Sequence, residues 1–401
     1  MLKVKRSRFL QALAGFGTLG GFGVLAGVRS LSVDAAAKVY RWFKNQTLPL
    51  PTVPFVSPGW AVRDGAGLLW FDNQLFLMGG FDARGVAAWG GERTTNDVWS
   101  SPDGKIWTRV LGHLSDPKEV RWRPRHSAGW VVHNNQLFVV GGGYLDTSTG
   151  GFAQDVWCSI DGKSWVRKNG KAAPFNPAPD DLVKDPVRGA RRVLHAVGSY
   201  GDRLWLFGGQ TNLSDSRTAL NDLWVSCDNG RHWQAKVLHN PGNGGQPSPR
   251  GMIDSLVEFK GFLWLCGGGT YLSSGGAGRE FYNDVWKYSE VTNVWTRVVA
   301  SETKAPFSRW SPRQYHNVVV YDGKIWVLSG YGRRSDDSLG YLNDVWCSED
   351  GSKWEHVKVP TGMKGWGVSY ADGVCASPRG IWRVTGNGDL VAGVKDVYLI
   401  Q

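Results

Sequence analysis

Arginine recurs at one place in this chain, and its spacing is the first pointer to chemistry. Arg63, Arg125, Arg192 and Arg313 each stand 16 residues before a small residue that closes an apolar run. Arg250 occupies the same place one position out of step. Counting back 13 instead of 16 reaches His195, Asp254, His316 and Asp372. A ring of guanidinium groups suits a carboxylate or phosphate, because each planar fork can grip two oxygens. A His or Asp beside such a ring could exchange protons, so His195, His316 and Asp254 are the candidates for acid/base catalysis. The competing reading needs no ligand. An Asp recurs downstream of each arginine, and two residues that repeat together often pair with each other or cap loop carbonyls.

Other residues are weaker pointers. Trp60, Trp122 and Trp310 each precede an arginine by three; an aromatic plane beside a cation can stack on a sugar, or can simply pack a loop. Glu92 with Arg93 and Glu280 with Arg279 are adjacent loop charges in two repeats. The five cysteines show no CxxC spacing and read as buried thiols, so no metal site and no cofactor is signalled.

The elements that must position these residues are repeats. NDVWCSEDGSKW, from Asn343, recurs as NDVWSSPDGKIW from Asn96, QDVWCSIDGKSW from Gln154, NDLWVSCDNGRHW from Asn221 and NDVWKYSEVTNVW from Asn283; KDVYLIQ ends the chain. Each copy reads as a strand, a tight two-residue Asp-Gly turn and a return strand. Upstream, an apolar strand ends in two small residues, as in LFLMGG, LFVVGG, LWLFGG, LWLCGG, IWVLSG and IWRVTG. The first small residues fall at 79, 141, 208, 267, 329 and 385, so one unit repeats with variable loops. A further strand precedes each run across a short turn. The unit is therefore a four-stranded antiparallel sheet. Sheets of that size must stack to bury both faces, with the tryptophans at 99, 157, 224, 286 and 346 and at 107, 165, 233, 295 and 354 as wedges between them.

The recurring diglycine after an apolar strand, with a Trp downstream, resembles the kelch family of β-propellers over roughly residues 61–401. The resemblance implies an all-β fold, a six-bladed propeller of four-stranded antiparallel blades. Residues 38–46 would supply the outer strand that the last blade lacks, closing the ring. Domain organisation is then 1–37 as an export signal or N-terminal anchor and 38–401 as one propeller. In such a fold the arginines fall at the start of each blade's inner strand, around one mouth of the central channel. Arg63, Arg125, Arg192, Arg313 and Tyr315 are the ligand-binding candidates. SCDNGRHW (Ser226–Trp233) is also similar to the Asp-box turn of sialidase-type propellers. RQYHN (Arg313–Asn317) resembles a copper-ligand segment of galactose oxidase, which would make Tyr315 and His316 ligands, but the rest of that site has no counterpart in this chain.

Net charge is +11, and residues 1–37 contribute +4 of it. A basic surface favours anionic ligands. No Lys/Arg run interleaves with aromatics in the body of the chain, so nucleic-acid binding is not expected. Basic residues at 3–8, a Gly-rich apolar run and Ala35-Ala36-Ala37 read as an export signal. KRSRFLQ resembles a twin-arginine signal with Ser7 in place of the second arginine; periplasm or extracellular space is the expected location, with no membrane span in the mature chain. The expected function is a binding module for a protein, a glycan or an anionic small molecule. The alternative is a mutarotase or epimerase for an acidic sugar, because the architecture, export and charge are similar to periplasmic sialic-acid mutarotases.

Overall fold

The structure, a computed structural model, describes Tyr40, 42–44, 59–82 and 86–401, apart from 87–88, 119, 145–150, 171–191, 243, 253–255, 273–277, 360–369, 385 and 387–396. All of the longer elements described are strands, and they pair as antiparallel meanders. The first runs through β2 (Gly67–Phe71), β3 (Gln74–Met78), β4 (Val98–Ser101) and β5 (Thr108–Leu111). The second is β6 (Gly129–His133), β7 (Gln136–Gly143), β8 (Phe152–Ser159) and β9 (Val166–Arg167). The third is β10 (Ala196–Tyr200), β11 (Arg203–Gln210), β12 (Ala219–Ser226) and β13 (Gln234–Val237). A nine-stranded sheet follows. It joins β14 (Val257–Phe259), β15 (Phe262–Gly269), β16 (Phe281–Ser289) and β17 (Val294–Val299) to β19 (Asn317–Tyr321), β20 (Lys324–Arg333), β21 (Leu339–Ser348) and β22 (Glu355–Val357) through the two-residue β18 (Arg313–Gln314).

The last sheet is β23 (Gly373–Ser377), β24 (Gly380–Val384), β25 (Val397–Ile400) and, outermost, β1 (Trp42–Lys44). Trp42 pairs with Ile400 and Lys44 with Tyr398, so the start and end of the propeller share one sheet and β1 covers the edge of β25. The sheets thus form a β-propeller with antiparallel four-stranded blades. Instead of six separate sheets, the described residues form four of four strands, plus one in which β18 bridges two meanders. The innermost strands neighbour one another in the cyclic order β2, β6, β10, β14, β19, β23 and back to β2.

Local chemistry explains the strand ends. The β2–β3 and β6–β7 hairpins turn on Asp72-Asn73 and Asn134-Asn135, all at positive φ, the backbone that a two-residue hairpin with right-handed twist requires. The outer turn differs from expectation. Six residues, 102–107, separate β4 from β5, where a two-residue Asp-Gly turn was expected. The Asp103 carboxylate accepts from the amides of Lys105 and Ile106, the Ser101 hydroxyl accepts from Gly104 N–H, and Trp107 Nε1 donates to Gly104 O. The same set recurs at Ser159–Trp165 and Ser348–Trp354. The side-chain bonds stabilise a wider loop than the dipeptide alone would make.

The core is layered. One buried cluster combines Leu68, Leu75, Leu77 and Trp99 of the first meander with Trp382, Val397 and Leu399 of the last, and similar clusters lie between the other neighbours. Trp157, Trp224 and Trp286 sit in these layers as the wedges the repeats imply. Each such Trp is worth about 3–5 kcal/mol against truncation to Ala. The diglycine has a steric reason at Gly208. Its φ is +61°, and a Cβ there would lie 2.5 Å from Arg250 O.

Candidate functional site

The recurrent arginines point into the blades. Arg63, Arg125, Arg192, Arg250 and Arg313 are among the largest fully buried side chains. Each forks onto the aspartate of the DVW-type triplet. The paired distances are 2.5 and 3.1 Å for Arg63–Asp97, 2.5 and 3.0 Å for Arg125–Asp155, and 2.7 and 2.9 Å for Arg192–Asp222. They are 2.5 and 3.0 Å for Arg250–Asp284 and 2.6 and 2.8 Å for Arg313–Asp344. Nη1 also donates to the carbonyl of the first small residue of the pair, for example Gly208 O and Ser329 O at 2.9 Å. The aspartate accepts a third bond from the Trp two residues on, at 2.7 Å in Trp157 and Trp224. Burial raises the carboxyl pKa of Asp97, Asp155 and Asp344, but the facing arginines and these donors more than offset it, so all three lie below the ordinary range. The last sheet reverses the arrangement, with Asp372 before the inner strand and Arg383 on the second, 2.7 Å apart.

This corrects the ligand-binding expectation for Arg63, Arg125, Arg192 and Arg313. A fully buried guanidinium already held by a carboxylate and a carbonyl has no face to offer a substrate anion. It welds three strands of its own unit together. The tryptophans of W-x-x-R are also packing groups. Trp60, Trp122 and Trp310 are buried edge-to-face against Trp107, Trp165 and Trp354 of the outer turns.

The histidines tie neighbouring units. His195 Nε2 is 2.9 Å from Val140 O, and His316 Nε2 is 2.7 Å from Cys266 O. Both are buried, and burial pulls each pKa down to about 3, so both rings are neutral. A ring donating from Nε2 to a carbonyl in a packed layer is no mobile base. His195 and His316 are thus corrected from catalytic candidates to ties between blades. Asp254 lies outside the described residues. Tyr315 and His316 point to different places, since the Tyr315 ring packs on Tyr370 and the His316 ring on Trp310. Among the described residues no group of three or more His, Cys, Asp or Glu is arranged for a metal.

At the axis lies a feature that no local pattern announced. Gly65, Ser127, Leu194, Met252, Tyr315 and Ala371 each precede an inner strand, and all six have φ between +48° and +64°. Each amide donates to the carbonyl of the preceding member, and Gly65 N–H closes the circle on Ala371 O, with distances of 2.8–3.3 Å. The left-handed conformation turns each peptide tangential to the axis, so that its donor and acceptor meet the neighbours. The central channel is closed by backbone at this level. The cavity beside the ring holds about 30 Å³, room for a water or two but not for a sugar. Beyond it the bore between the inner strands holds about 250 Å³ and is mostly apolar, with Leu69, Val132, Val257 and Val320 among its walls.

Beside one member of the ring, Tyr315, lies an aromatic cluster. Tyr315 packs with Tyr271 on the buried Val193, Leu194 and Met252. Its ring lies 5.1 Å from Tyr370, which stacks on Tyr341 at 5.2 Å with 9° between the planes. Tyr331 meets Tyr341, Tyr370 and Phe281 at 5.6, 6.2 and 6.1 Å. All six rings are half-buried. Burial pushes the Tyr315 and Tyr370 hydroxyls well above their ordinary pKa, so both remain neutral donors. Arg279 lies over Tyr271 at 5.0 Å and donates to Leu272 O, while Glu280 accepts from Tyr282. Of this cluster the sequence singled out only Tyr315. The signal available was the run of tyrosines flanking the fourth and fifth diglycines, in TYLSS, EFYND, GYGRR and GYLND.

The comparisons with known proteins agree with this architecture. The family model described as the KLHDC2/KLHL20/DRC7 Kelch-repeats domain matches residues 182–369. A Leucine-zipper-like transcriptional regulator 1 from Homo sapiens is 30% identical over 188 residues, 46% of this chain and 20% of that protein. Its homolog from Drosophila melanogaster is 28% identical over 171 residues, 42% of this chain and 16% of that protein. Kelch repeat-containing protein 2 from Saccharomyces cerevisiae is 26% identical over 248 residues, 57% of this chain and 24% of that protein. The chain thus spans a quarter or less of the length of these relatives. With its diglycine strands and four-stranded antiparallel meanders, the chain is a β-propeller that carries kelch repeats over residues 182–369.

Proposed function

We propose that this protein is an interaction module whose loop face, centred on Tyr271, Phe281, Tyr315, Tyr331, Tyr341 and Tyr370, recognises a partner protein. The aromatic cluster carries the reading. Six rings from three neighbouring units converge beside an axis closed by hydrogen-bonded backbone. Tyrosine contributes large contact area at low entropic cost and is enriched where binding energy concentrates. A kelch propeller is consistent with such a module. The mutarotase alternative required a proton-transfer group converging with free arginines in a pocket. The arginines and histidines expected to do so, Arg63, Arg125, Arg192, Arg313, His195 and His316, are instead buried and bonded within the blades, and no enzyme is proposed.

The test is panning of a random peptide display library against the full chain and against Tyr331→Ser/Tyr341→Ser. Selected peptides should lose at least tenfold in affinity for the double variant, at about 1–2 kcal/mol per truncated ring. Peptides that bind both proteins alike would sink the assignment. A glycan array run in parallel covers the other ligand expected from sequence; sugar binding that disappears in the same variant would reassign the face to a glycan. No helix among the described residues is long and apolar enough to cross a membrane. The proposal includes export, resting on residues 1–37 alone; retention of an Arg6→Gln/Arg8→Gln variant in the cytosol, beside an exported parent, tests it.

A further inference from the structure

A pocket of about 590 Å³ opens beside the second meander. Lys118, Arg121, Arg123 and Arg167 line it, with the Tyr144 ring under Arg123 at 5.1 Å. Its acids are Asp116 and Asp155, and Asp155 is taken by Arg125. Arg121 is the unusual member. It is buried to 7% exposure, yet its only bonds are from Nη2, to Gly112 O at 2.6 Å and Asn96 Oδ1 at 3.4 Å. Its Nε has no partner, and it has no ion pair among the described residues. A buried cation without a counter-ion is costly unless something else supplies the charge.

The repeat itself shows how the same slot is filled elsewhere. An Asn side chain marks it each time, donating to a carbonyl just after the slot: Asn96 to Trp122 O, Asn221 to Pro247 O and Asn283 to Trp310 O. In the third unit the slot holds Gln246, which is neutral. In the fourth it holds Arg309, and Glu302 compensates it at 3.3 Å. Glu302 N–H donates to Asn283 Oδ1 just as Leu114 N–H donates to Asn96 Oδ1, so Leu114 occupies the place of the compensating carboxylate. The fold therefore needs neither an arginine here nor an unpaired one. Among the described residues the first unit keeps the cation with no acid in contact, Asp97 acting on it only at longer range, and places it on the wall of a basic pocket.

We propose that this pocket binds a small organic or inorganic oxyanion carrying at least two negative charges, with Arg121 as its fixed cation and Lys118, Arg123 and Arg167 around it. The volume suits a phosphate ester or polycarboxylate of ordinary metabolite size. The test uses the full chain, with pyrophosphate and citrate as probes, by calorimetric titration at low salt. Arg121→Gln copies the third unit, and Leu114→Glu restores the fourth unit's internal carboxylate at an exposed position. Both should fold, and both should weaken binding at least tenfold; Leu114→Glu should also raise the melting temperature without ligand. Arg231→Gln, an exposed cation elsewhere, should leave binding unchanged. Preference for one probe identifies phosphate or carboxylate as the recognised group. Absence of binding to either probe overturns the proposal. So does unchanged affinity in both pocket variants, or an equal loss in Arg231→Gln.

Discussion

Removing the aspartate from one arginine fork should cost stability in proportion to how completely water is excluded from it. Asp222 and Asp344 make the same contacts, two from the arginine and one from the Trp, at 2.7–2.9 Å and 2.6–2.8 Å. Their surroundings differ. The side chain of Asp222 is 2% exposed and that of Asp344 is 26% exposed, while both arginines are buried. Breaking a buried pair from one side leaves an uncompensated charge and costs about 3–5 kcal/mol. Asp222→Ala should sit at the top of that range. In Asp344→Ala water can enter and solvate Arg313, so the cost should fall to about 2–3 kcal/mol, nearer the loss of two charge-assisted hydrogen bonds after partial resolvation. Urea unfolding followed by tryptophan fluorescence measures both. A double variant, Arg192→Met/Asp222→Leu, should recover much of the loss, because it removes the stranded charge as well. Equal costs at the two sites would refute the water-exclusion argument. A cost under about 1 kcal/mol for Asp222→Ala would refute the scaffold role of the arginines, since exposed ion pairs give that much.

Two further outcomes follow from the buried groups. Burial holds His195 and His316 at about 3 and His126 at about 4, against about 6.5 for an unfolded histidine. Between those values the unfolded chain binds more protons than the folded one. The stabilisation is therefore complete above pH 6.5 and is lost as pH falls through that window, at up to about 1.4 kcal/mol per histidine per pH unit. The urea midpoint should drop between pH 7 and pH 5, and His195→Gln/His316→Gln should flatten the slope; an unchanged slope would mean these rings titrate normally. In the axial ring, Gly65 has φ +56°, and a Cβ there would lie 2.8 Å from Ser127 Oγ and 3.0 Å from Ser127 N. Gly65→Val should destabilise by about 2–4 kcal/mol through strain and overpacking, read from the same unfolding curves, and a neutral result would mean the hydrogen-bonded circle is not rigid.

Much of the architecture was legible because it is local and repeated. The spacing of apolar strand, diglycine and DVW-type triplet set the four-stranded unit, and the incomplete last repeat pointed to the N-terminal strand that pairs with Val397–Ile400. The arginine and aspartate positions were legible too, but not their direction. An arginine at the head of an inner strand can point across the channel or back into its own sheet, and sequence spacing is the same for both. Tertiary packing decided it, because the aspartate and the diglycine carbonyl meet only when three strands are assembled. The outer turn was misjudged because Asp-Gly alone signals a two-residue hairpin, whereas the Ser and Asp side chains hold six residues. The axial circle of amides and the aromatic cluster each join residues from different units. No periodicity within one unit encodes them. The sequence determines each blade and how it pairs within itself; which side chains converge between blades is settled only when the ring closes.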